Sequence, residues 1–135
     1  MNADDGQRIL EENFAPWVLE LGLRVQGCAG GEARLVLPAS PALARVGGSV
    51  CGQALMAAAD TAMVIAISSA LGGFRPMATV SQNTSFMRAI TGVDVEIVAR
   101  VLKPGRSLVF GEVELRAAGD ERLAAHVTTT YALAG

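Results

Sequence analysis

Positive charge, cysteine and aromatic rings are all scarce in this chain of 135 residues. With 11 Lys and Arg against 13 Asp and Glu, a net charge of −2 and a pI near 5.3, it has no basic field to hold nucleic acid. One Trp, one Tyr and four Phe leave few rings for base stacking, so nucleic acid is not an expected partner. Cys28 and Cys51 have neither a CxxC spacing nor companion histidines, because the chain holds one histidine; no metal site and no redox pair is indicated. The opening residues, MNADDGQRILEEN, are acidic and polar where a secretory signal is basic and then apolar, which reads as a cytoplasmic protein. Repeats, low-complexity tracts and long linkers are missing too, so residues 1–135 are expected to form one domain.

A more local absence carries further. From Cys51 to Gly73 there is one charge, Asp60, in a run made mostly of Ala, Met, Ile, Leu and Val. Ala54 to Leu71 reaches the lower limit of about 18 residues for a bilayer span. The central Asp60, Ser68, Ser69 and the lack of cationic or aromatic flanks argue instead for a core helix, with no membrane involved. A carboxylate in a packed interior is unfavourable by several kcal/mol unless it is paired or neutralised. The run itself offers only the hydroxyls of Thr61, Ser68 and Ser69. Buried carboxylates are common at acid/base sites, where desolvation moves their titration toward the working range; the other reading is an Asp on the solvent side of the helix.

What is present is hydrophobic surface, 51% of residues with a mean hydropathy of +0.39. That is high for a monomer of this size and points to a subunit interface. Gln7 to Phe14 has a helical pattern that Pro16 ends. Val18–Val25 and Glu32–Leu37 read as strands joined at Gly30 and Gly31, and the apolar helix closes at Gly72 and Gly73. Val93 to Val101 alternates strictly, KPGR (Lys103 to Arg106) suits a type II turn, and strands follow at Leu108–Leu115 and Leu123–Leu133 with a turn at Ala118–Glu121. Together with Ala78–Met87 these make a four-stranded antiparallel meander after one long helix, an α+β layout in which the sheet wraps the helix.

Four segments carry a resemblance: SVCGQALMAAADTAM (Ser49 to Met63), ATVSQNTSFMRA (Ala78 to Ala89), VLKPGRSL (Val101 to Leu108) and AHVTTTY (Ala125 to Tyr131). On these the sequence resembles the hotdog-fold acyl-CoA thioesterases, in the branch similar to the phenylacetate-pathway (PaaI-like) thioesterase, over nearly its whole length. The resemblance implies the hotdog fold, a long central helix in a curled antiparallel sheet, and hydrolysis of an acyl-CoA. It also implies a homodimer or a tetramer built as a dimer of dimers, with active sites shared between chains. In that family HGG precedes the helix, nine residues ahead of the acidic residue; here Cys51, Gly52 and Gln53 stand in its place, and Asp60 keeps the spacing.

The retained residues suit thioester hydrolysis. Gly52, at the helix start, offers a backbone N–H that intrahelical bonding leaves free and that the positive end of the macrodipole strengthens. A donor so placed stabilises the oxyanion of the tetrahedral transition state by roughly 3 to 4 kcal/mol. Asp60 is the general base on water or a nucleophile giving a mixed anhydride. Thr79 aligns with a family Ser or Thr that orients the carboxylate or water, its other reading being a strand hydroxyl bonded to backbone. No cofactor is expected beyond the coenzyme A of the substrate, whose phosphates need cations; Arg88, Lys103 and Arg106 are the candidates by resemblance. Gln53, Arg45 and Asn83 complete the substrate-contacting set. Arg45 stands where many relatives carry an Asn at the thioester, and Asn83 is otherwise a side chain that satisfies backbone groups.

Departures from the pattern leave alternatives. Without the family His there is no second titrating group beside the oxyanion donor. A helix N-terminus lowers thiol pKa, but nothing links His126 to Cys51, so Cys51 reads better as a small packed thiol than as a nucleophile. A non-catalytic protein holding acyl-CoA or an aromatic ligand is the leading alternative, and a hotdog hydratase the weaker one, since the paired Asp and His of those enzymes is not visible.

Overall fold

The structure, a computed structural model, describes residues 1–134. Helix α1 (Ala3–Asn13) begins four residues before the apolar pattern does, because Asn2 and Asp5 cap it reciprocally: the Asp5 amide donates to Asn2 Oδ1 at 3.0 Å and the Asn2 amide to Asp5 Oδ2 at 2.9 Å. The strand expected at Val18–Val25 does not form. Pro16 presets the first turn of a short helix, α2 (Pro16–Leu19), and Gly22 at φ +75° swings the chain into β1 (Arg24–Ala29). Strand β2 (Glu32–Leu37) follows across the expected turn, with Gly30 and Gly31 both at positive φ.

Helix α3 (Gly52–Leu71) is the axis of the fold, and Gly72 in the left-handed conformation closes it. Every residue from Thr61 to Ser68 is buried. Its length and apolarity match a membrane span, yet 72% of that window lies inside the protein, under the sheet. In the first half Gln53, Met56, Ala57 and Asp60 are exposed or half-buried. Their spacing of three, four and seven residues puts them on one stripe that the chain itself leaves open.

The sheet holds six strands, adding β3 (Met77–Phe86), β4 (Val95–Pro104), β5 (Leu108–Ala117) and β6 (Ala125–Leu133), all pairings antiparallel. The order is β1-β2-β4-β5-β6-β3. The expected four-stranded meander is therefore three strands, β4-β5-β6; β3 pairs with β6, at the far edge from β1. Alternation marks a strand, whereas its neighbour is set by where the connecting loop carries the chain. The KPGR type II turn also fails: β4 runs on to Pro104 and Gly105 does not take a positive φ. Glycine is needed there for another reason, since a side chain would run into the Leu108 carbonyl.

Helix α3 runs antiparallel to β3, which brings three residue pairs together. A Cβ on Gly52 would lie 3.2 Å from the Phe86 ring, Gln82 Nε2 donates to the Met56 carbonyl at 3.0 Å, and Thr79 Oγ1 donates to Asp60 Oδ1 at 2.8 Å. Most of β3 is nonetheless exposed, Val80 by 60% and Phe86 by 52%.

Candidate active site

The isolation of Asp60 in the sequence is resolved across the sheet. The hydroxyls in its own helix are taken by local carbonyls: Thr61 donates to Ala57 O, Ser68 to Val64 O and Ser69 to Ala66 O, at 2.8, 2.8 and 2.7 Å. Two hydroxyls from outside serve Asp60 instead. Thr79 on β3 and Tyr131 on β6 are direct cross-strand partners. Both donate to Asp60 Oδ1, and the Tyr131 hydroxyl also lies 2.8 Å from the Asp60 backbone oxygen. Tyr131 is 1% exposed. Burial first, and the Asp60 charge second, push its phenol well above the ordinary value of 10, so it remains protonated through the neutral range.

The half-buried Asp60 lies at the wall of a cleft of about 310 Å³ whose apolar lining is Phe14, Trp17, Val18, Met56 and Ala57, with Gln53, Thr61 and Gln82 as its other polar members. Trp17 belongs to the segment expected as strand, and as part of α2 it is 58% exposed beside this cleft.

Gly52 sits elsewhere. Cys51 caps α3 without a side-chain bond and spends its amide on the Leu43 carbonyl at 2.8 Å. The N–H groups of Gly52 and Gln53 have no partner among the described residues. Gly52 lines a second cleft, of about 430 Å³, together with Arg45, Leu55, Phe86 and Arg88. Eight helical residues separate it from Asp60, about 12 Å.

The remaining candidates divide between the ends of the sheet. Arg45 stands in a tight turn closed by bonds to Ser49 O and from the Gly48 amide, with Gly47 and Gly48 at φ +103° and +94°. Arg88 Nη1 donates to the Leu123 carbonyl at 2.8 Å, which holds the guanidinium at the Gly52 cleft. Lys103 and Arg106 are exposed at the opposite end, where β4 passes to β5. One chain does not gather these cations. Asn83 falls between Gln82 and Thr84 on β3, so the alternation turns it away from the helix; Gln82 is the residue that faces α3.

Cys51 is a half-buried free thiol at the helix start. His126 is far from it in role, on the outer face of the sheet with Nε2 3.0 Å from Glu112 Oε2. On that face Arg100 bridges Glu32 at 3.3 Å and Glu114 at 2.6 Å, and its hydrogen bond holds the Glu114 carboxyl below the ordinary 4.5. Cys28 is buried against the Asn2 carbonyl, and burial pushes its thiol up. Among the described residues no three His, Cys, Asp or Glu side chains are grouped as a metal ion requires.

Sequence reasoning assigned no role to Tyr131, Gln82 or Trp17. Tyr131 stood within the AHVTTTY segment, but its inward position on a strand is the position of any core residue. Only the register to Thr79 reveals its task.

Against known proteins, residues 47–124 match the model of the thioesterase superfamily. A Thermoplasma volcanium protein provisionally named an esterase is 34% identical over 111 residues, 76% of each chain. The structure of a conserved protein from Pseudomonas aeruginosa superposes with a TM-score of 0.84 at 31% identity, over 92% of this chain and 98% of that one. Zebrafish thioesterase superfamily member 2 gives 0.84 at 26% identity, covering 98% of this chain and 95% of its own. A variant of the phenylacetic acid degradation protein PaaI from Thermus thermophilus gives 0.77 at 28%, covering 87% and 98%.

Proposed function

The chain belongs to the thioesterase superfamily, in its hotdog fold, and we propose that it hydrolyses an acyl-CoA carrying a short, medium-length or aromatic acyl group to the free acid and coenzyme A. The observation that carries this reading is Asp60, a half-buried carboxylate held by two hydroxyls at the wall of an apolar cleft. In the reaction Asp60 takes a proton from water as it adds to the thioester carbonyl, or adds to that carbon itself and is released by water. Either way the oxyanion accepts a hydrogen bond from the free N–H of Gly52, and the C–S bond breaks to release the CoA thiolate, which then takes a proton. The proposed reaction calls for no cofactor beyond the coenzyme A of the substrate.

An oxyanion donor and a base about 12 Å apart along one helix cannot serve one carbonyl carbon. Their placement in separate clefts supports a site completed by a second copy, in which Gly52 of one chain meets Asp60 of the other. The exposed edge strand β3 and the open stripe of α3 are the surfaces such a two-fold dimer would cover. Arg45 and Arg88 would travel with Gly52 to the partner's Asp60, at the sheet end that carries Lys103 and Arg106, and so assemble cations for the CoA phosphates. A tetramer would be two such dimers.

Release of free CoA from a panel of short, medium-chain and aromatic acyl-CoAs, followed with a thiol reagent, tests the proposal. Turnover of at least one class supports it. Tight binding of an acyl-CoA with no release would favour a binding protein, the reading that Cys51 in the place of the family His leaves open.

A further inference from the structure

The two hydroxyls on Asp60 do more than satisfy a buried charge, because they choose between its oxygens. Both reach Oδ1, while Oδ2 accepts no hydrogen bond from any described residue. A carboxylate on a helix can otherwise turn about its side-chain bonds and present either oxygen. Donors from directly opposed positions on two paired strands remove that freedom. They are also unequal: Thr79 stands on the exposed edge strand, whereas Tyr131 is an interior residue of β6 and 1% exposed.

We infer that Tyr131 is a positioning residue of the hydrolytic site, which together with Thr79 fixes Oδ1 of Asp60 and leaves Oδ2 as the oxygen that meets water or the thioester carbon. The inference rests on Asp60 being the catalytic carboxylate. Tyr131 has one proton to give, and the charged Oδ1 is a stronger acceptor than the nearby backbone oxygen. Its resistance to ionisation keeps that proton in place at neutral pH. A ring that served packing alone would need no contact with the carboxylate, since the Asp60 carbonyl 2.8 Å away already suffices for a buried phenol.

The test uses the fact that the chain has one tyrosine. With ¹³C at the tyrosine Cζ, the protein gives a single resonance that reports the bond made by the hydroxyl, without reference to turnover. The expected result is a displaced resonance in Asp60→Asn, where a charged acceptor becomes a neutral one. In kinetics, Tyr131→Phe is expected to lower kcat about ten- to a hundredfold, the scale of a misplaced catalytic group, with KM changed by no more than about twofold. In the Asp60→Asn background the same substitution should have no further effect, since Tyr131 acts only through the carboxylate. A Cζ resonance indifferent to Asp60→Asn, or an equal loss from Tyr131→Phe in both backgrounds, would reduce Tyr131 to a packed ring. If Asp60→Asn displaced the resonance yet kept full turnover, the hydrogen bond would stand but the hydrolytic reading of Asp60, and the positioning role with it, would fall. The resonance together with the turnover of Asp60→Asn keeps the inference open to refutation even if the Tyr131→Phe protein does not fold.

Discussion

Replacing Asp60 by Asn keeps an oxygen that can accept from Thr79 and Tyr131 but removes the charge and the base. Hydrolysis should fall at least about a hundredfold, the scale for losing a positioned base, while substrate affinity survives. The variant should melt no lower than the parent, because an incompletely compensated carboxylate is replaced by a neutral isostere; thermal melts beside steady-state rates check both. Cys51→Ser and Cys51→Ala should keep activity within about tenfold, a 1.4 kcal/mol effect, and a loss as large as that of Asp60→Asn would instead indicate a thiol nucleophile. At this scale the sequence was legible wherever a residue broke its local pattern. Asp60 did so by charge, whereas Gly52 entered through the family resemblance, as the glycine kept from HGG at the start of the helix. Thr79 entered through family resemblance, and its bond to Asp60 now supplies the physical content. Tyr131 broke no pattern: its partner lies 71 positions away, and inward-facing aromatics on strands are ordinary.

Among the elements, the outer face of the sheet offers a prediction independent of catalysis. Arg100 on β4 reaches Glu114 on β5, their strands paired, and its hydrogen bond lowers the Glu114 pKa from 4.5 in the folded protein. A depressed folded value means that the contribution is present above the unfolded pKa and is lost as pH falls through the folded one. Glu114→Gln should therefore lower the melting temperature near pH 7, with the gap to the parent narrowing below about pH 4. A gap constant with pH would show that the pair contributes nothing through charge. The strands after β1 were readable from the sequence, and the helix from its unbroken apolar run, whereas the strand expected at Val18–Val25 lies instead at Arg24–Ala29. Other features were not. Pro16 diverted an apolar stretch into α2, which puts Trp17 at the Asp60 cleft, and the pairing of β3 with β6 depends on contacts far apart in sequence that no local period encodes.

For the whole molecule, the high hydrophobic content pointed to an oligomer, and part of the exposed apolar surface lies along edge strand β3, with Val80 and Phe86, and on the stripe of α3 that includes Met56. Those surfaces flank both clefts. In the proposed site Gly52 and Asp60 act in trans, and mixing two inactive proteins tests this most directly. Gly52→Pro removes the donor N–H yet suits the first helical position, and Cys51 at φ −68° and ψ 148° already has the extended conformation a following proline needs. Equal amounts of Asp60→Asn and Gly52→Pro, dissociated and reassociated, form about half heterodimers, each with one doubly damaged site and one intact site. Release of CoA should then recover to about a quarter of the parent rate. No recovery, with heterodimers demonstrated by native mass spectrometry, would mean that each site is built within one chain and would contradict the account.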